Sequence, residues 1–304
     1  MELGYDGKLF ILAFDHRGSL KKKMFGIEGR EPTTEEQARL NEAKRLIWES
    51  VKAAVEAGAS AEFAGVLVDE EMGADIAREA KEQGFTLAMP VEKSGQPVFD
   101  FDYGEDFGAH IEDFDPTFAK VLVRWNPHDD AEIRQIQGER LKRLSDWLHE
   151  RGRKYLFELL VPATEHQLAL VGGISSDYDS HIRPYLMLEA IDQIHQAGVE
   201  PDVWKIEGID TQADCELVSG LVRSDGRDGV KAVVLGRGAD DAKVAHWLRM
   251  GAPVDGYIGF AIGRTIWWDG IEAWKDGALD RDQAVERIAD NYRRFIDVYE
   301  KAAG

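Results

Sequence analysis

One cysteine, Cys215, is all the sulfhydryl chemistry the 304-residue chain contains. No intrachain disulfide can form, which suits a reducing compartment. Basic residues are also in deficit, with 37 Lys and Arg against 57 Asp and Glu and a formal net charge of −20. That field repels phosphate backbones and anionic lipid, so no nucleic-acid partner and no membrane partner is expected. An anionic small molecule needs a locally basic pocket set against it. No apolar run approaches the ~20 residues that span a bilayer. The opening MELGYDGKLF has neither the basic start nor the long apolar core of a signal peptide. A soluble, cytoplasmic protein is expected. No Gly-x-Gly-x-x-Gly follows the first apolar run, which weighs against a dinucleotide-binding open sheet. No His/Cys spacing signals zinc, and neither metal nor cofactor is expected. Repeats and low-complexity segments are absent too.

What is present is alternation. Short apolar runs fall at 8–15, 64–69, 85–91, 118–125, 154–161, 202–207, 230–236 and 255–261. Amphipathic helical patterns follow at 35–57, 73–83, 129–151, 183–197, 211–224 and 239–250, the first opening on a Thr33-Thr34 cap with acidic residues behind it. Eight strand–helix units predict a single-domain α/β fold over 1–304, a (β/α)8 TIM barrel. The glycine- and proline-free segment 280–302 predicts a C-terminal helical extension from about 280, outside the barrel or at a homo-oligomer contact. Two polar stretches, 93–117 and 162–182, follow the third and fifth strands. They are expected as loops at the C-terminal mouth, where barrel active sites lie.

Lys205 sits inside the apolar strand Val203-Trp204-Lys205-Ile206-Glu207. Alternation sends Val203, Lys205 and Glu207 to one face, the lumen if the strand is a stave. An ammonium there must be paired, solvated by a cavity or neutral, and a neutral lysine attacks carbonyls to form Schiff bases. The competing reading is a structural ion pair with Glu207 or another carboxylate, and on the lysine alone the two stand level. Other strands repeat the oddity. Asp15, Lys120, Arg124 and Glu158 also fall on lumen faces near C-terminal ends. Adjacent staves lie ~5 Å apart, so Glu158 and Lys205 at similar height can exchange a proton. Clustered desolvated charges favour function over scaffolding, because each one adds cost to a purely structural role.

Gly236-Arg237-Gly238 ends the seventh strand, and Gly263-Arg264 follows the eighth. Loops after these two strands often cradle phosphate in barrels. Arg264 would supply a charged fork there, unless it only pairs an acid such as Asp269. His16, within Asp15-His16-Arg17-Gly18, stands at the mouth. Lys21-Lys22-Lys23 reads as a solvated turn.

An ordered set of segments carries a family resemblance: AFDHRGSL at 13–20, LVDEEMG at 67–73, VEKSG at 91–95, KVLVRWNPHDD at 120–130, FELLVP at 157–162, VWKIEG at 203–208 and GFAIGRTIW at 259–267. The chain resembles class I aldolases of the tagatose 1,6-bisphosphate aldolase type. It is more similar still to the aldolase-like domain of bacterial myo-inositol catabolism. The resemblance implies metal-independent Schiff-base cleavage of a phosphorylated keto-sugar, releasing dihydroxyacetone phosphate and an aldehyde. By position, Lys205 would form the Schiff base and Glu158 would be its acid/base neighbour. Asp15 would act on the hydroxyl at the bond being cut, Lys120 would be a second lumen lysine, and Gly263 with Arg264 would hold phosphate. His16 stands where the tagatose type tends to carry glutamine, and Arg237 where a smaller residue is expected. Both lie at the mouth, so they bear on the substrate more than on the chemistry. The inositol branch implies 2-deoxy-5-keto-D-gluconate 6-phosphate, cleaved to dihydroxyacetone phosphate and malonate semialdehyde, with Arg17, His16 or Arg124 receiving the carboxylate. The alternatives are a tagatose 1,6-bisphosphate or related ketose-phosphate aldolase, a phosphosugar isomerase or epimerase, and a phosphosugar sensor without turnover.

Overall fold

Parallel strands covered by helices are buried on both faces, which is why they read as continuous apolar runs. In the computed structural model, which describes residues 3–304, eight such strands form: β1 Leu9–Ala13, β2 Ala64–Leu67, β3 Thr86–Pro90, β4 Phe118–Arg124, β5 Lys154–Leu160, β6 Val203–Glu207, β7 Lys231–Leu235 and β8 Tyr257–Ile262. All pair in parallel and close in chain order, with β8 returning to β1. The expected (β/α)8 barrel is the fold. Helices Thr34–Glu56, Glu70–Glu82, Ala131–Glu150, Arg183–Gln196, Gln212–Val222 and Asp241–Gly251 occupy the expected patterns. Thr33 caps the first of them through a reciprocal exchange of hydrogen bonds with Glu36.

Two apolar layers hold the barrel. One lies between strands and helices. The other fills the lower lumen with Leu9, Ile11, Ala13, Leu67, Ala88, Phe118, Leu156, Val203, Val233 and Ala261, and Tyr5 packs on Phe118 beneath. This inner plug excludes water from below, so the charged side chains one alternation step further along β4, β5 and β6 open only toward the C-terminal mouth.

The two stretches expected as loops carry short helices. Phe107–Phe114 lies in the first, and Glu165–Leu170 and Ser175–His181 in the second. Each is too short for helical periodicity to stand out. Gly172-Gly173, both at positive φ, separates the latter pair.

The segment expected as an extension from about 280 is the helix Arg281–Ala303. It takes the eighth place in the outer ring. Arg281 pairs with Glu42 and Glu49 of the first helix, Arg294 with Asp241 of the helix after β7, and Tyr299 donates to the Tyr257 carbonyl at 2.8 Å. The additional helix is Arg264–Lys275, wedged between β8 and that ring helix. Among the described residues no helix is long and apolar enough to cross a membrane.

Candidate active site

A cavity of about 480 Å³ opens at the C-terminal mouth. Its floor is a row of charged groups on neighbouring staves. Glu158 and Lys205 are direct register partners of β5 and β6, and Lys205 Nζ donates to Glu158 Oε2 at 2.9 Å. Lys120 Nζ, from β4, lies 3.0 Å from the same oxygen, 2.8 Å from Asp15 Oδ2 and 2.8 Å from Glu92 Oε1. Lys205 is 2% exposed, Lys120 1% and Glu158 5%. Glu207, the competing partner for Lys205, instead accepts from the Val161 amide at 2.8 Å and pairs with Arg237 Nε at 2.9 Å. Period-two alternation therefore placed Asp15, Lys120, Glu158 and Lys205 in one cluster.

The electrostatics divide these groups. Burial would raise the Asp15 carboxyl, but Lys120, His16 and Lys205 hold it well below the carboxylate range. Burial likewise opposes ionisation of Glu158, and the two ammoniums override it to leave its pKa lowered. Lys120, whose burial alone would favour the neutral amine, is raised by its three carboxylates. It is a fixed cation. Glu92 goes the other way: burial raises it against Lys120 and Arg17. Burial, with help from the Arg264 and Lys205 charges, brings His16 down to about 4. His16 is therefore a neutral imidazole near neutral pH, edge-on to Trp267 at 5.4 Å, and is no counter-ion for a carboxylate.

The rim supplies the basic groups. Arg264 opens the additional helix Arg264–Lys275, and its guanidinium makes no hydrogen bond or ion pair among the described residues, Asp269 included. It lies against Gly238, whose φ of 72° favours glycine, and a Cβ there would stand 2.6 Å from Nη2 and push the guanidinium aside. Gly263 precedes the helix without a side-chain cap, and a Cβ there would sit 2.5 Å from the Ala13 carbonyl oxygen. Gly263 and Arg264 both line the cavity, so an uncapped helix N-terminus and an uncommitted guanidinium meet at its rim, the combination that holds phosphate. Gly236 follows β7, and its carbonyl accepts from the Ala239 amide, closing the turn that carries Gly238.

Arg237 does not share that role. Although it lines the cavity, its guanidinium is spent on Glu207 and Asp179, and its backbone is left-handed at φ 54°. Arg17 is committed too, donating to Asp102 Oδ2 and to the Glu92 carbonyl, each at 2.7 Å, which ties down the loop after β3. Arg124 makes one bond, to the Gln96 carbonyl at 2.9 Å. It stands at the end of β4, four staves from β8, so the two least committed arginines face each other across the mouth.

Sequence reading missed two contributors. Glu92, two residues past β3, completes the carboxylate set on Lys120, and an isolated acid just beyond a strand was the available signal. Lys23, in the segment read as a solvated turn, lines the cavity and has no ion-pair partner among the described residues. Nothing in the Lys21-Lys22-Lys23 run singles it out.

The same fold occurs in solved structures of low identity. A fructose-bisphosphate aldolase from Plasmodium falciparum superposes with a TM-score of 0.67 at 14% identity, covering 97% of this chain and 92% of that one. Cgl0159 from Corynebacterium glutamicum superposes with a TM-score of 0.56 at 17% identity, covering 97% and 88%. No curated protein matches the sequence. A family profile described as "Uncharacterized protein conserved in bacteria (DUF2090)" spans residues 4–303, and the chain belongs to that family.

Proposed function

We propose that the protein is a Schiff-base aldolase acting on a phosphorylated keto-sugar or keto-sugar acid. The observation that carries this reading is Lys205: a buried amine at the base of a substrate-sized cavity, 2.9 Å from a carboxylate that a second lysine keeps ionised. Lys205 attacks the substrate ketone. Glu158 takes a proton from the amine and returns one to the departing hydroxyl, and the resulting iminium accepts the electron pair of the bond between its α and β carbons, becoming an enamine as that bond breaks. Asp15 receives the proton of the hydroxyl whose carbon becomes the aldehyde, and Lys120 holds Asp15 and Glu158 in place. Arg264, Lys23 and the amides after Gly263 bind the phosphate of the ketone half. Arg124 faces the aldehyde half.

The best single substrate is 2-deoxy-5-keto-D-gluconate 6-phosphate, giving dihydroxyacetone phosphate and malonate semialdehyde. An anion at each end of the chain matches Arg264 and Arg124 on opposite rims. Along the wall between the lysine level and Arg124, Leu122 and Leu160 line the cavity and suit a deoxygenated carbon. The shared fold with a fructose-bisphosphate aldolase supports the class of reaction and is silent on this substrate. Condensation in the synthetic direction tests the reading. Dihydroxyacetone phosphate should be consumed with malonate semialdehyde and spared with glyceraldehyde 3-phosphate. The reverse preference would point to the bisphosphate substrate, and consumption with neither would remove aldol chemistry.

A further inference from the structure

The reaction above gives no task to Glu92, yet Glu92 is joined to Lys205 by an unbroken line of contacts. Lys205 Nζ meets Glu158 Oε2 at 2.9 Å, Glu158 Oε2 meets Lys120 Nζ at 3.0 Å, and Lys120 Nζ meets Glu92 Oε1 at 2.8 Å. Glu92 Oε2 is buried and has no hydrogen-bond partner among the described residues. A carboxylate with an unsolvated oxygen is costly, whereas the neutral acid is much less so. We propose that Glu92 holds the proton that Lys205 must give up, so that the amine meets the ketone neutral. This rests on the Schiff-base reading and adds a positioning residue for the proton, acting through Lys120 and Glu158.

The cluster binds the same number of protons whether one sits on Lys205 or on Glu92, so the transfer needs no exchange with bulk solvent. In one concerted step Lys120 gives a proton to Glu92 Oε1 and takes one from Glu158, which takes one from Lys205, so Lys120 is a cation before and after. The groups facing Glu92 favour it as the end of the line. Lys120 faces it from β4, Tyr155 feels its charge from β5, and Asp15 and Arg17 face it from the segment after β1, with Arg17 Nη2 4.0 Å away and bound to the Glu92 backbone carbonyl while Nη1 is tied to Asp102. On the β2 side, Asp69 is occupied by Lys44. Burial lifts the Glu92 carboxyl above its ordinary range, with Asp15 adding to the rise, while Asp15 and Glu158 are lowered.

The return of the proton balances the chemistry. Neutral amine, ketone and one proton give iminium and water. The nitrogen lone pair forms the new C–N bond, the carbonyl π pair moves to oxygen, and that oxygen leaves as water. The proton required is the one stored on Glu92.

The test is the rate at which dihydroxyacetone phosphate, in excess with sodium cyanoborohydride, is trapped on the wild-type protein, Glu92→Gln and Glu92→Asp between about pH 6 and 9. The wild type should be nearly level. Glu92→Gln should be at least about tenfold slower at pH 7 and climb roughly tenfold per pH unit, because its amine proton must leave to solvent. Glu92→Asp should recover part of the loss at neutral pH. A Glu92→Gln profile that runs parallel to the wild type, however much lower, overturns the proposal, since a structural residue would slow trapping equally at every pH. Absence of any adduct on the wild type is a different failure, that of the Schiff-base reading itself. Should Glu92→Gln not fold, infrared spectroscopy of the wild type decides. The carbonyl stretch of a buried protonated carboxyl should disappear when dihydroxyacetone phosphate forms the iminium, and an unchanged band overturns the proposal.

Discussion

Replacing Arg264 with alanine should weaken the phosphate end of the site and leave the fold intact. Its guanidinium has no hydrogen-bond or ion-pair partner to lose among the described residues, and it lies against the Gly238 backbone. A guanidinium fork on phosphate makes two charge-assisted hydrogen bonds, each worth about 1.5–3 kcal/mol. Lys23 and the first-turn amides of Arg264–Lys275 remain to share the phosphate, so the expected net loss is ~2–4 kcal/mol. At 1.4 kcal/mol per tenfold, that raises the dihydroxyacetone phosphate concentration for half-maximal trapping by about 30- to 700-fold. Arg264→Lys should fall between the two, keeping a charge without the planar fork. The assay is borohydride trapping across a ligand titration, paired with a denaturant melt. Stability should change by less than ~0.5 kcal/mol. Unchanged half-saturation would refute the phosphate assignment. Loss of stability together with weaker binding would show that Arg264 supports the barrel.

Arg237→Ala is expected to act in the opposite sense. It leaves Glu207 buried with only the Val161 amide and a distant Arg183, so urea unfolding should show a loss of about 1–3 kcal/mol, while half-saturation by dihydroxyacetone phosphate changes little. A large affinity loss without destabilisation would restore Arg237 to the phosphate site. Lys120→Met strands Asp15, Glu92 and Glu158 without their shared cation and should cost about 3–5 kcal/mol in the same measurement, a larger effect than at any rim residue. By nuclear magnetic resonance, His16 should titrate near 4; a midpoint at or above 6.5 would make it the cation that burial disfavours. For pH and stability, Glu92 holds its proton more tightly folded than unfolded. Stability from this group is full below the unfolded value of about 4.3 and is lost as pH rises toward the folded value. Melts of Glu92→Gln should therefore match or exceed the wild type near neutral pH, and a lower midpoint there would mean that Glu92 is ionised and paired.

The barrel was legible because its strands are buried on both faces and its main ring helices run long enough for periodicity to register. Alternation within strands was enough to bring Lys205, Glu158, Lys120 and Asp15 together, since period two leaves no freedom in which face a residue takes. What alternation does not decide is how charges pair once they meet. Arg237 and Arg264 look equivalent as glycine-flanked arginines after β7 and β8. Only the fold shows that Glu207 and Asp179 claim the first while the second stands free. Arg17 was consumed in the same way by a loop whose path the sequence does not specify. Glu92 escaped notice because it follows Pro90-Val91 at the edge of a polar stretch, where a glutamate is ordinary. Its partner Lys120 lies 28 residues on and becomes a neighbour only through the β3–β4 pairing.

The most direct single measurement is intact-mass spectrometry after sodium borohydride reduction with dihydroxyacetone phosphate, followed by peptide mapping of wild type and Lys205→Met. A stable adduct on Lys205, absent from a folded Lys205→Met protein, is the expected result. Saturable binding of dihydroxyacetone phosphate with no adduct, or an adduct that persists in Lys205→Met, would contradict Schiff-base chemistry at this lysine and leave Lys205 an electrostatic neighbour of Glu158.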